Sequence, residues 1–160
     1  MGHCLLSADA IHLEENMYPE EMEVSTDSLL NRLESGVTGS PELSKAIMSA
    51  LGWRWECIGC PGGGMWKDSR QVFHSGPLPK VSEQADAARK LIPENIFITA
   101  HEEPPGYWLV RLYAHRLHNG SDYSDPLVAG RARTLPLALC SAAIKLKSME
   151  DPIDQPQSRN

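Results

Sequence analysis

Cys57 and Cys60 stand two residues apart in WECIGCPGGGMWK, residues 55–67, the one stretch of the chain with the spacing of paired thiolate ligands. Tetrahedral zinc takes such a pair, but a structural zinc site needs four ligands. His74, fourteen residues past Cys60, is the candidate third, and His101, His115 or His118 the candidate fourth. Cys57, Cys60 and His74 are therefore the residues to test for zinc. With no second CxxC, the competing expectation, a flexible loop carrying two reduced thiols and no cofactor, is preferred. A redox pair wants its CxxC at a helix start, where the dipole lowers the thiol pKa; Pro61 and the glycines 62–64 forbid a helix there. A phosphate loop needs GxxxxGK[ST] between strand and helix, and CPGGGMWKDS has neither that spacing nor that context.

Acid–base chemistry has weaker support. His101, His115, His118, Glu102 and Glu103 cluster around a hairpin and are the residues a hydrolase would use, yet the chain has no nucleophile elbow. A non-enzymatic protein is expected. Trp53, Arg54, Trp55, Trp66, Lys67 and Arg70 point elsewhere. Tryptophan and arginine in an exposed segment are what protein interfaces favour, so residues 53–70 are the expected partner-binding surface.

Charge adds a second element to that surface. The 160 residues carry a formal charge of −6, which argues against direct nucleic-acid binding because phosphates require a basic surface. The charge is uneven, with eight acids against Arg32 alone in residues 1–35 and nine bases against seven acids in residues 80–149. Glu20, Glu21 and Glu23 are thus candidate contacts to a basic partner.

The length suits one compact domain with tails. No apolar run approaches the roughly 18–20 residues of a membrane span. The first residues lack the pattern of a signal peptide, and Leu6 stands where myristoylation wants Ser or Thr. Four cysteines do not make a secreted disulfide framework, so a cytoplasmic, reducing setting is expected.

These candidates must be positioned by the rest of the chain. Residues 1–26 read as an acidic flexible arm, 27–150 as a single α+β domain and 151–160 as a disordered tail. STDSLLNRLES reads as a helix, capped by Ser25 or Asp27 and ended by Gly36; SPELSKAIMSALG reads as a second, with Ser40 as cap and Pro41 at its first position. Residues 53–81 keep neither period for long and are expected as a long loop. SEQADAARKLIP predicts a helix capped by Ser82. Strands are expected over Ile96–His101, Tyr107–Leu117 and LVAGRAR, with a turn at Asn119-Gly120. Thr134 is the expected cap of a last helix that holds Cys140 in the core. The fold class is thus α+β: a three-stranded antiparallel sheet covered by helices, its helix–strand–strand–strand–helix core at about residues 82–149, preceded by two helices and the loop.

LLNRLESGVTGSPELSKAIMSALGW, the glycine- and proline-rich middle, the segment from Val81 to Ala88 and the run from Thr134 to Ala143 together resemble the phage α-β-α sandwich domain family of small tailed-phage and prophage proteins. The resemblance covers about residues 28–149. It implies a fold and a phage setting, hence the cytoplasm of an infected or lysogenic bacterium, and no activity. Residues 82–149 also share the element order of double-stranded-RNA-binding domains. Leu135, Pro136 and Leu137 stand where those domains carry lysines, so their phosphate grip is missing. The functional expectation is a phage-encoded accessory protein that binds a host or phage protein and inhibits a host defence system, in the manner of an anti-CRISPR. The alternative is a zinc-stabilised or nucleic-acid-associated module of phage replication.

Overall fold

The computed structural model describes residues 25–57, 64–114 and 125–150. The expected arm and tail, Cys60, His115, His118 and the Asn119-Gly120 turn lie outside the described residues. Helix α1 (Thr26–Ser35) starts where the Ser25 hydroxyl accepts the Ser28 N–H at 3.2 Å, and it closes where the Gly36 N–H donates to the Arg32 carbonyl at 2.9 Å. Helix α2 (Pro41–Ala50) begins with proline, whose missing N–H costs nothing there, and with the Ser40 hydroxyl accepting the Leu43 N–H at 3.1 Å. It ends at Gly52, whose φ of +85° suits glycine best.

Strands β1 (Arg54–Cys57), β2 (Gly64–Lys67) and β3 (Phe73–His74) follow, then α3 (Ala85–Arg89), β4 (Phe97–Glu103), β5 (Tyr107–Tyr113), β6 (Val128–Ala132) and α4 (Leu135–Glu150). Two three-stranded antiparallel sheets result, ordered β1-β2-β3 and β4-β5-β6. The α+β class stands, and the segment expected as a loop carries the first of these sheets. Its strands are only four, four and two residues long, too short to show a sustained period of two.

The second sheet is the expected meander, with Ile98, Leu112 and Val128 on one rung and Ala100, Val110 and Gly130 on another. Alternation turns Val110, Leu112 and Ala132 inward, all fully buried. Helix α4 lies across this face. A Cβ on Gly130 would come within 2.3 Å of the Ala138 carbonyl oxygen and 2.5 Å of the Ala142 nitrogen, so helix and strand meet backbone to backbone. On its other sides α4 meets α1 and α3, and every residue from Leu137 to Ile144 is buried. Burial pushes the Cys140 thiol up to about 12, and its Sγ donates to the Val81 carbonyl at 3.3 Å. At the edge of this core, Glu34 accepts from Lys145 at 2.6 Å and from Ser141 at 3.1 Å, while Lys145 also donates to the Ala129 carbonyl at 3.0 Å. One ammonium group thereby joins α1, α4 and β6.

Two expected caps do other work. Ser82 does not cap α3, which starts at Ala85 with no side-chain cap. It is buried instead against α2: its Oγ accepts the Ser40 N–H at 3.0 Å and donates to the Ser40 carbonyl at 2.8 Å, and its N–H donates to Ser44 Oγ at 3.1 Å. A buried hydroxyl must be satisfied, and the start of α2 supplies the partners. Thr134 accepts the Ala138 N–H through its carbonyl at 3.0 Å, but its shielded Oγ1 has no partner among the described residues. A capping hydroxyl bonds the second or third N–H of the helix; the second here belongs to Pro136, which has none, and the Thr134 hydroxyl does not take up the third, that of Leu137. The strand expected to reach Leu117 stops at Tyr113, and the one expected from Ile96 to His101 runs from Phe97 to Glu103.

Gly130→Ala must lift α4 off β6 and is expected to lower unfolding free energy by about 1–3 kcal/mol. Urea denaturation followed by circular dichroism measures it, and an unchanged midpoint would show that the helix is not seated as described.

Candidate partner-binding site

The small sheet gathers the tryptophans and cations of residues 53–70. Its register pairs Trp55 with Trp66 and Arg54 with Lys67, and Trp66 pairs onward with His74, Lys67 with Phe73. Cross-strand partners share a face, so the sheet has two chemically distinct sides. Trp55, Trp66 and His74 share one. Arg54, Glu56, Lys67 and Phe73 share the other.

On the aromatic side the Trp55 and Trp66 rings meet edge to face at 5.2 Å. Trp55 also lies over Gly64, where a Cβ would come within 2.4 Å of its ring, so the glycine that ends the GGG run is a seat for the indole. Trp53, just before β1, stacks on His74 at 4.6 Å and packs against the main core. On the charged side Lys67 bonds Glu56 at 3.0 Å and sits 5.1 Å from the centre of the Phe73 ring. An open depression of about 460 Å³ runs along this side, with Arg54, Glu56, Lys67, Asp68 and Lys147 of α4 among its lining residues.

Asp68 holds the β2–β3 hairpin together. It is buried, and one carboxylate oxygen accepts the Arg70 and Val72 N–H groups, both at 2.9 Å. The other meets His74 Nε2 at 3.1 Å and the Arg70 guanidinium at 3.6 Å. Gln71 completes the turn with φ of +68°. Burial pushes the Asp68 carboxyl up, but the N–H groups of Val72 and Arg70, the His74 ring and the Arg70 charge together outweigh it, and the net effect is a lowered pKa. An aspartate holding a histidine is also how a hydrolytic site orients its base. Here His74 bonds only Asp68 among the described residues and stacks on Trp53, so the pair anchors the hairpin.

The structure thus brings Trp53, Arg54, Trp55, Trp66 and Lys67 onto one small sheet and leaves Arg70 exposed on its hairpin turn. Glu20, Glu21 and Glu23 lie outside the described residues. Of the zinc candidates, Cys60 and the Cys57 side chain lie outside them too. His74 sits on β3 in the rung of Trp66 and Trp55, two register positions from the rung of Cys57 and Gly64, with its Nε2 engaged by Asp68. No group of three metal-ligating side chains forms among the described residues. Of the residues a hydrolase would use, Glu103 is bonded to Arg131 at 3.1 Å and stands 3.9 Å from His101. Residue-type reasoning passed over Asp68, Val72 and Phe73. Asp68-Ser69-Arg70 carries the signal for the first, since aspartate readily bonds backbone two residues on.

No family model, no curated protein and no solved structure matches the chain.

Asp68→Ala is expected to destabilise the hairpin and flatten the acid limb of the stability curve. A carboxyl whose folded pKa is lowered from its ordinary value of 3.8 contributes stability that is present above that value and lost as pH falls through the folded pKa. Thermal melts between about pH 2 and 6 measure it. Identical acid limbs in wild type and variant would show that Asp68 does not hold the turn.

Proposed function

We propose that this protein works by binding another protein through the β1–β3 sheet, as a phage-type accessory protein that inhibits a host defence system by occupying one of its components. The observation that carries the binding reading is exposure without a packing role. Trp55 is 51% exposed, Val72 49% and Phe73 42%, all within one small sheet or its hairpin turn. Yet among the described side chains none of β1, β2 or β3 belongs to the hydrophobic core or to the groups packed against it. A sheet that keeps large apolar groups in water while adding nothing to the core favours contact with a partner. Its composition matches interface centres, where tryptophan and arginine dominate the binding energy.

The inhibitory role rests on the resemblance of residues 28–149 to phage proteins and on the concentration of acids in residues 1–35. A chain that carries both an acidic segment and an aromatic anchor suits a partner with a basic channel, such as a nuclease.

Affinity capture from a bacterial host lysate tests the reading, comparing wild type with Trp55→Ala/Phe73→Ala. Both side chains lie outside the main core, so the main unfolding transition of the variant, followed by far-UV circular dichroism, is expected to match wild type. Its expected loss of affinity for a partner retained by wild type is at least about thirtyfold, since a central aromatic anchor is worth 2 kcal/mol or more. Equal retention by both proteins removes the small sheet from the role. Retention of nothing by either removes the protein-binding reading.

A further inference from the structure

The β4–β6 sheet has a second face, turned away from α4, and its chemistry is opposite in sign to the chain as a whole. Alternation puts Tyr107, Leu109 and Arg111 of β5 on it, with His101 and Arg131 on the rung of Leu109. Arg133 follows one rung beyond, where β6 ends. The guanidinium carbons of Arg131 and Arg133 lie 4.2 and 4.5 Å from the centre of the same Tyr107 ring. Arg131 is also held by Glu103, through Nε at 3.1 Å. Arg133 is exposed and, like Arg111, has no hydrogen bond or ion pair to any described residue. Among the described residues Glu103 is the one acid on this face.

We propose that this face binds single-stranded nucleic acid. Three guanidinium groups gather there against one carboxylate, and planar forks grip phosphate oxygens in pairs. Stacking on Tyr107 fixes two of those forks before any ligand arrives, so less side-chain freedom is lost on binding. The guanidinium planes stacked on Tyr107 give bases flat surfaces to lie on, with the half-buried Leu109 an apolar patch beside them, a use that an acidic peptide does not make of them. Single strands are commonly taken up on an open antiparallel sheet carrying aromatic and arginine side chains. The formal charge of −6 masks this site because eight acids fall in residues 1–35. The face is separate from the β1–β3 sheet, so the inference stands apart from protein binding there.

Fluorescence anisotropy of a labelled single-stranded oligothymidylate, titrated with the full chain, tests it. Three phosphate contacts predict a slope near −2 for log affinity against log salt, or roughly twentyfold weaker binding from 50 to 200 mM. Arg133→Gln is expected to make that slope shallower by about 0.7. Glu103→Gln, which frees Arg131 from its competitor, is expected to tighten binding severalfold. Arg111→Gln serves as a second loss variant should Arg133→Gln disturb the end of β6. Absence of binding, binding unmoved by these variants, tighter binding of a duplex, or equal binding of a labelled polyglutamate would each overturn the proposal, the last in favour of an acidic protein surface.

Discussion

Helix α4 is the constraint around which the molecule is arranged. Its sequence offers no polar stripe from Leu137 to Ile144, and a helix apolar all round must be enclosed rather than laid on a surface. The sheet β4–β6 closes one side, α1 and α3 others. Gly130 permits a backbone-to-backbone approach, and Ser141 and Lys145, two of the polar groups along the helix, are taken up by Glu34. The Ser40–Ser44–Ser82 cluster then fixes the start of α2 to the segment entering α3.

Enclosing α4 uses the apolar face of the main sheet and leaves two surfaces out of the core. The small sheet hangs from the core at Trp53 and is organised internally by Asp68, whose acceptors are spent on its own hairpin. The far face of the main sheet carries the arginines. The two surfaces differ in kind: one is aromatic with balanced charge, the other predominantly cationic.

Much of the main framework was legible in the sequence. Ser25, Ser40, Pro41 and Gly36 mark helix ends by local bonding, which neighbours along the chain determine. The meander was legible because β4 and β5 are seven residues each, long enough to show alternation. Ser82 and Thr134 were misread because each looks like a cap, while Ser82 is taken up by the distant start of α2 and the Thr134 hydroxyl bonds nothing among the described residues, with Pro136 two positions on lacking an N–H. The small sheet escaped because its strands are short and its glycines read as a loop. The alternation Trp53-Arg54-Trp55-Glu56, echoed by Met65-Trp66-Lys67, was its only trace. The aromatic and cationic residues of the small sheet were legible by type. Their division between two faces was not, since it depends on a cross-strand register that no local pattern specifies.

The distribution of indole rings has a practical consequence for spectroscopy. Of four tryptophans, Trp53, Trp55 and Trp66 belong to the small sheet or its approach, and Trp108 alone lies on the main sheet. Intrinsic emission is therefore weighted toward an outlying hairpin that adds little to the interior, whereas the amide signal is dominated by α4 and its neighbours. The two optical probes watch different parts of the chain, and a mismatch between their transitions would report the small sheet loosening ahead of the body.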